Sequence, residues 1–364
     1  PLFYMVRHLI AHVVVANLPF TLAAFIGRAL RPEQLQVSDF SQVNNDVAES
    51  EVLPMPKMNS TEISCYIKMA LVEATENITL FGSNDTLGSL QAQGKLPTLW
   101  RTCSVVSSSG VVMLKNQSQA IDKSDAVIHF NTAPLKGYEG WVGSRDDVRF
   151  VNNQFAKLVL DHSTPLETNN HTMYINVLPA YDKDAHIEQT GQYEELLKQR
   201  PGLRIFEAAP TIEHRASLLL RHIYSAEWFH EQGSSYLPTT GGVGMILALS
   251  MCDTVFAYGM AESENSKSAP YHYYDGEGTV ASEQDYHRSF SAEKDLWRRL
   301  SVSQVADIDA NDVAEIPGLS HYECSNFARS LDGMQFGEAL EEADSKTAPA
   351  LSMVLPAMAV LSSL

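Results

Sequence analysis

Along residues 238–260, PTTGGVGMILALSMCDTVFAYGM, the apolar positions change period. Met245, Ile246 and Leu249 recur at helical spacing, and after Cys252-Asp253 the run Val255-Phe256-Ala257-Tyr258 reads as a short buried strand. A small-residue turn, Thr239-Thr240-Gly241-Gly242, opens the helix. Such a turn leaves N–H groups pointing outward with the positive end of the helix dipole behind them, a site suited to phosphate or carboxylate. Taken alone, the segment is equally an ordinary loop-helix-strand unit.

The pattern repeats between Cys103 and Asn153. Val105-Val106 end a strand, Ser107-Ser108-Ser109-Gly110 form a polar turn, a segment with Ile121-Asp122 follows, and Ala126-Val127-Ile128-His129-Phe130-Asn131 make a second strand. Two strand, glycine-turn and helix units predict a parallel sheet with two anion-ready turns, and in such sheets ligands sit beyond the carboxyl ends of the strands. A nucleotide or nucleotide-sugar fits that geometry; a plain structural repeat fits it too. Residues 186–232 are helix-rich and predicted to cover the sheet, a helix is expected from Ile63, and another over the segment SAEKDLWRRL that ends at Leu300.

Toward the N-terminus, residues 8–27 carry no Asp, Glu, Lys or Arg between Arg7 and Arg28. At helical rise that run would just span a hydrocarbon core. His8, His12, Asn17 and Pro19 dilute it, so a weak membrane anchor competes with a buried or interfacial amphipathic helix. Residues 29–62 are polar and aperiodic and read as a stem. The end of the chain turns acidic and then apolar, with Pro349 and Pro356 inside the apolar run; an interfacial segment, a second anchor and a disordered end all fit.

Composition narrows the partners. In 364 residues, apolar residues at 45% and charged residues at 19% are globular values. A net charge of −18 with no offsetting Lys/Arg cluster argues against nucleic acid. Four cysteines are too few for a disulfide scaffold but even in number. Five glycosylation acceptor patterns begin at Asn59, Asn77, Asn84, Asn116 and Asn170. About two would be unremarkable by chance; five, with an even cysteine count, point to the secretory pathway and oxidised thiols. No metal-ligand constellation stands out.

CSVVSSSG (103–110), IDKSDAVIHFNTAP (121–134) and WVGSR (141–145) resemble the large motif of the eukaryotic-type sialyltransferase family, glycosyltransferase family 29. PTTG through ALSMCDTVFAYGM resembles its small motif, His272-Tyr273-Tyr274-Asp275 its third motif, and the run from His287 to Glu293 its very small motif, all in family order. Three departures stand out: Ser107-Ser108 replace Gly-Asn, His129 replaces an Arg, and five residues rather than four separate His287 from Glu293.

The resemblance implies an α/β fold: one Rossmann-like domain, a variant of the GT-A type, with a mainly parallel sheet flanked by helices. Its implied layout is an anchor over 1–30, a stem over 31–62, a catalytic domain over 63–330 and a tail over 331–364. It implies inverting, metal-independent transfer of sialic acid from CMP-sialic acid to a glycan hydroxyl, without a further cofactor. Ser108, Ser109, Gly110 and Asn131 would hold the donor, with Thr239, Thr240, Gly241, Tyr258 and Gly259 completing the site. His272 would steady the departing phosphate and His287 would act as general base, its ring oriented by Asp285 or Glu293. The adjacent Asp146-Asp147 pair reads as structural. The resemblance further implies disulfides Cys103–Cys252 and Cys65–Cys324, where free core thiols are the alternative, and a single-pass type II protein of the Golgi membrane with its catalytic domain in the lumen. Two rival readings keep the fold: transfer from another CMP-activated sugar acid of the Kdo type, and a catalytically silent glycan-binding protein.

Overall fold

The computed structural model describes residues 58–76, 78–97, 99–161, 171–178, 183–209, 211–224, 237–267, 269–275 and 289–325. The predicted anchor, most of the stem, the tail, His287, Asp285, Asn77 and Asn170 lie outside them.

Among the described residues, eight strands form one sheet in the order β1-β6-β5-β4-β3-β2-β7-β8. They are β1 (Thr79–Leu80), β2 (Trp100–Val106), β3 (Ala126–Phe130), β4 (Val148–Asn152), β5 (Met173–Leu178), β6 (Arg204–Glu207), β7 (Cys252–Tyr258) and β8 (Val313–Pro317). The six from β6 to β7 are parallel, and β1 and β8 close the two edges antiparallel. The mainly parallel sheet expected from the sequence is therefore present, with mixed edges. From β2 the chain winds outward through β3, β4, β5 and β6, then returns to add β7 on the other side of β2. The order reverses at β2, and a sheet of this kind opens a ligand crevice outside the carboxyl ends of the strands at that point.

The helices follow from which faces the strands leave apolar. All five residues of β3 are buried, as expected for a parallel strand covered on both sides. Ala126, Ile128 and Phe130 face one layer with Val148 and Phe150, whereas Val127 faces the other. The first layer holds α1 (Ser60–Glu76), α7 (Thr211–Ile223), α8 (Thr240–Met251) and α9 (Phe290–Leu300). The second holds short pieces, α3 (Ser118–Ile121) and α4 (Glu139–Val142), then α5 (Phe155–Leu160) and α6 (Lys183–Gln199). The one-turn helix α2 (Leu87–Ala92) and α10 (Val305–Asn311) sit at the edges, before β2 and β8.

Helix α8 is apolar all round and buries ten of its twelve residues, so it lies against the sheet as a core element rather than a surface helix. Gly244 makes the close approach possible: a Cβ there would stand 2.6 Å from the Phe130 ring and 2.7 Å from Phe150. By contrast α9 is amphipathic, burying Ala292, Glu293, Leu296, Trp297 and Leu300 along one stripe. Helix α1 starts three residues before the expected Ile63, because Asn59 and Glu62 exchange hydrogen bonds at its first turn, 3.0 and 2.7 Å.

Both expected disulfides are present. Cys103–Cys252 ties β2 to the start of β7, and Cys65–Cys324 ties α1 to the segment after β8. Among the described residues no helix is long and apolar enough to cross a membrane.

Candidate active site

The turn after β2 is built by its own oxygens. Ser107 N–H donates to Tyr258 O, continuing the β2–β7 ladder past the strand ends. The Ser107 hydroxyl then accepts from Ser109 N–H at 2.8 Å, and the Ser109 hydroxyl accepts from Val111 N–H at 3.4 Å. The chain continues as a 3-10 turn over Gly110–Leu114 rather than the expected helix, and the Gly110 N–H is taken by Pro270 O at 2.9 Å. Gly110 has no room for a side chain, since a Cβ would meet Pro270 at 2.6 Å. The turn offers fewer open donors than expected: the N–H groups of Ser107, Ser109 and Gly110 are already used, that of Ser108 has no acceptor among the described residues, and a 3-10 turn this short carries little dipole.

The same holds at the second turn. Thr239 caps α8 through its hydroxyl, which accepts from Gly242 N–H at 2.9 Å. Its own N–H and hydroxyl both donate to the Glu293 carboxylate, at 2.7 and 2.6 Å, and Ser289 adds a third donor at 2.8 Å. The carboxylate lies so close to Gly242 that a Cβ there would meet it at 2.5 Å. Burial pushes the Glu293 carboxyl up, against the pull of Thr239 and Ser289. An acid from α9 therefore fills part of the helix N-terminus predicted to receive a ligand. Among the described residues the N–H groups of Ser108, Thr240 and Gly241 have no protein acceptor.

Asn131 ends β3 in the left-handed region, φ 46°, where asparagine is among the few tolerated side chains. Its carbonyl accepts from Arg149 at 3.0 Å and its side-chain oxygen from Asn152 N–H at 3.1 Å, which leaves the carboxamide nitrogen without a partner among the described residues. Arg149 also donates to Ala133 O at 2.8 Å and pairs with Asp146 at 2.8 Å. His129, fully buried, donates Nε2–H to Val142 O at 3.0 Å and faces Asp146 at 3.3 Å through Nδ1. Burial pushes the Asp146 carboxyl up, but Arg149 and His129 outweigh it and hold it below the ordinary carboxylate range. Asp147 accepts from Val127 N–H and Arg145. Both aspartates are structural, as read from the sequence. Sequence reasoning missed Arg149, the guanidinium that fixes the 131–133 turn. Its signal lay in its place three residues after Asp146.

The segment 269–275 folds back over the β2 turn, with Gly110 N–H on Pro270 O and Tyr273 N–H on Ser108 O. It presents His272, part-buried, with Nδ1 2.8 Å from Asp275. The ring stacks on Tyr274, centroids 4.8 Å and planes 9° apart, and lies 4.0 Å from the Tyr271 ring. Burial lowers the His272 pKa and Asp275 partly restores it. Burial also pushes the Tyr274 phenol up to about 12. Tyr274 belongs to the third-motif run named above, whereas Tyr271 was given no role, because rings packed on rings leave no spacing rule.

The structure thus brings Ser108, Ser109, Gly110, Asn131, Thr239, Thr240, Gly241, Gly259 and His272 to the carboxyl edge of the sheet. Tyr258 is turned away: its ring is buried in the second layer with Val106 and Val111. Gly259, φ 66°, is fixed by packing; a Cβ would meet Val111 at 2.8 Å and Val112 at 2.9 Å. Asn59, Asn84 and Asn116 are exposed. Among the described residues no group of three or more His, Cys, Asp or Glu could hold a metal ion.

Comparison with known proteins names the kinship. Residues 68–305 match "Glycosyltransferase family 29 (sialyltransferase)". The beta-galactoside alpha-2,6-sialyltransferase 2 of Rattus norvegicus is 28% identical over 62% of this chain and 43% of its own, and that of Takifugu rubripes 25% over 80% and 56%. A Homo sapiens protein, alpha-N-acetyl-neuraminyl-2,3-beta-galactosyl-1,3-N-acetyl-galactosaminide alpha-2,6-sialyltransferase, is 30% identical over 48% of this chain and 60% of its own. The chain spans about half the length of the curated relatives it matches. Among solved structures, a mammalian sialyltransferase in complex with Gal-beta-1-3GalNAc-ortho-nitrophenol is similar at 18% identity and a TM-score of 0.39, over 70% of this chain and 78% of that one. With the family match covering well over half of its residues, the chain belongs to glycosyltransferase family 29 (sialyltransferase).

Proposed function

We propose that this protein transfers sialic acid from CMP-sialic acid to a hydroxyl of a glycan, with inversion and without a metal. The observation that carries the reading is the placement, at the carboxyl edge beside the β2 switch point, of His272 held by Asp275 and of N–H groups at Ser108, Thr240 and Gly241 that have no acceptor among the described residues. Donors of this kind suit a carboxylate and a phosphate together. CMP leaves as a phosphate monoester, so hydrogen-bond donors can take the developing charge that a metal takes for diphosphates. The acceptor oxygen forms its bond to the anomeric carbon as the bond to the phosphate oxygen breaks, and the electron pair leaves with CMP. The hydroxyl proton goes to His287, assigned as base on its motif position, two residues before the Ser289 that donates to Glu293.

The reading extends to a type II protein of the Golgi membrane, anchored through residues 1–30 with its catalytic domain in the lumen. Two disulfides and three exposed acceptor asparagines suit an oxidising, glycosylating compartment.

The test incubates the soluble portion with CMP-Neu5Ac or CMP-Kdo and a galactose-terminated glycan, and follows CMP release. Acceptor-dependent release from CMP-Neu5Ac, unchanged by EDTA and lowered about 10²- to 10⁴-fold in kcat by His287→Ala, is the expected result. Release from CMP-Kdo alone overturns the donor, and release from neither overturns catalysis.

A further inference from the structure

On the second layer, an open cavity of 720 Å³ lies between α3 and the face of β7 that carries Phe256 and Tyr258. Asn116, Gln117, Gln119, Ala120, Lys123 and the rings of Phe256 and Tyr258 line it. Gln119 and Lys123 make no hydrogen bond or ion pair among the described residues, whereas the approach to the rim is fixed. Lys115 donates to Ala310 O and to the Asn311 side chain, and Gln117 donates to Asn311 O at 3.0 Å, so Asn116 is pinned between two anchored neighbours. Asn116 begins the acceptor pattern Asn116-Gln117-Ser118, and its side-chain oxygen accepts from the Ser118 hydroxyl at 3.2 Å. The nitrogen that would carry a glycan passes Gly140, where a Cβ would stand 3.4 Å from it and a larger group would crowd it.

Aromatic rings beside the Gln119 amide and the Lys123 ammonium, both unbonded among the described residues, form a wall suited to a pyranose, whose C–H faces are apolar and whose edges carry hydroxyls. Pockets of this size hold ligands on the scale of one or two sugar rings. We propose that the first sugars of an N-linked glycan on Asn116 fold back into this cavity, with their faces on Phe256, beside the edge of Tyr258, and their hydroxyls and N-acetyl groups on Gln119 and Lys123. The occupant is named by the acceptor asparagine on the cavity's own rim. The inference rests on the secretory reading above.

The test expresses the full chain in a secretory host that leaves high-mannose glycans, maps occupancy by glycopeptide mass spectrometry, and digests the native protein with endoglycosidase H, which cuts between the two core sugars. Release at Asn116 should be at least about tenfold slower than at Asn59 or Asn84, with the difference gone after denaturation and in Phe256→Ala. A milder double variant, Gln119→Ala with Lys123→Ala, should speed release at Asn116 alone and keeps the test open where Phe256→Ala does not fold. Equal native rates at the three sites overturn the proposal, as does an empty Asn116 beside occupied Asn59 and Asn84. A chain bare at all five acceptors overturns the secretory reading together with it.

Discussion

His272 keeps Nδ1–H on Asp275, so a neutral ring presents a lone pair at Nε2. A lone pair repels phosphate oxygen, and the proposed role therefore needs the imidazolium. Burial lowers the His272 pKa below its usual value near 6.5, so the free ring is mostly neutral at pH 7 and takes up a proton when CMP binds. Because the ligand selects the protonated ring, affinity should fall as pH rises from 6 to 8, by up to about tenfold per unit. Calorimetry across that range should show weaker CMP binding in His272→Ala at pH 6 and a shallower slope, the phosphate's own ionisation being common to both proteins. Parallel profiles would remove the imidazolium.

Thr239 acts on stability at the same scale, as cap of α8 and as two of the three donors to Glu293. Thr239→Val loses a cap worth about 1 kcal/mol and a hydrogen bond to a buried carboxylate worth about 1.5–3 kcal/mol. Thr239→Ser keeps both and should stay near wild type. Glu293 has a raised folded pKa, so the folded state binds its proton more tightly than the unfolded chain. Its contribution is full below the unfolded pKa and is lost as pH rises through the folded one. Removing a donor raises that value further, so urea titrations should show a larger Thr239→Val deficit at pH 8 than at pH 5.

Among the elements, the end of β7 shows how closely the second layer seats on the sheet. Gly259 N–H donates to Asp312 O at 2.7 Å, and the residue fits under Val111 and Val112 only without a side chain. Gly259→Ala combines left-handed strain of about 1–2 kcal/mol with overpacking of about 1–3 kcal/mol. A fall in Tm of roughly 5–10 °C by differential scanning fluorimetry is expected. The elements legible in advance were those with a clean pattern: α9 with its stripe, β3 with its apolar run interrupted only at His129, and α8 passing into β7. Strands β4, β5 and β6 gave no such signal. Arg149 and Asn176 sit inside otherwise apolar runs, with their carboxylate partners outside those runs, Asp146 in the loop before β4 and Glu207 on β6.

At the scale of the whole molecule, Cys103 and Cys252 are both fully buried and join the two strands that flank the switch point. With a sequence separation of 149, the chain-entropy argument gives about 5 kcal/mol, an upper figure. Replacing both by serine should cost about 2–5 kcal/mol in denaturant titrations. It also puts two hydroxyls into the apolar layer under α8, so the protein should unfold at lower urea with CMP binding weakened in step. An unchanged midpoint would leave the bridge without a structural role.

The sequence by itself determined the parallel α/β class, the turn at Ser107–Gly110, the start of a helix at Thr239 and the order of the four motifs, because each depends on neighbours within a few residues. Thr240–Gly242 belong to that helix and not to a turn before it. Only the tertiary structure decided which donors those segments still offer. Pro270 and Glu293 come from about 160 and 50 positions further along the chain, and both end against N–H groups that local reading left open. It also decided that Tyr258 faces the second layer and that Arg149 fixes the turn at Asn131. Side-chain direction on a strand is set by register with its partners, and the carbonyls that Arg149 holds, those of Asn131 and Ala133, follow the neighbouring strand β3. Neither is written in the spacing of residues along one segment.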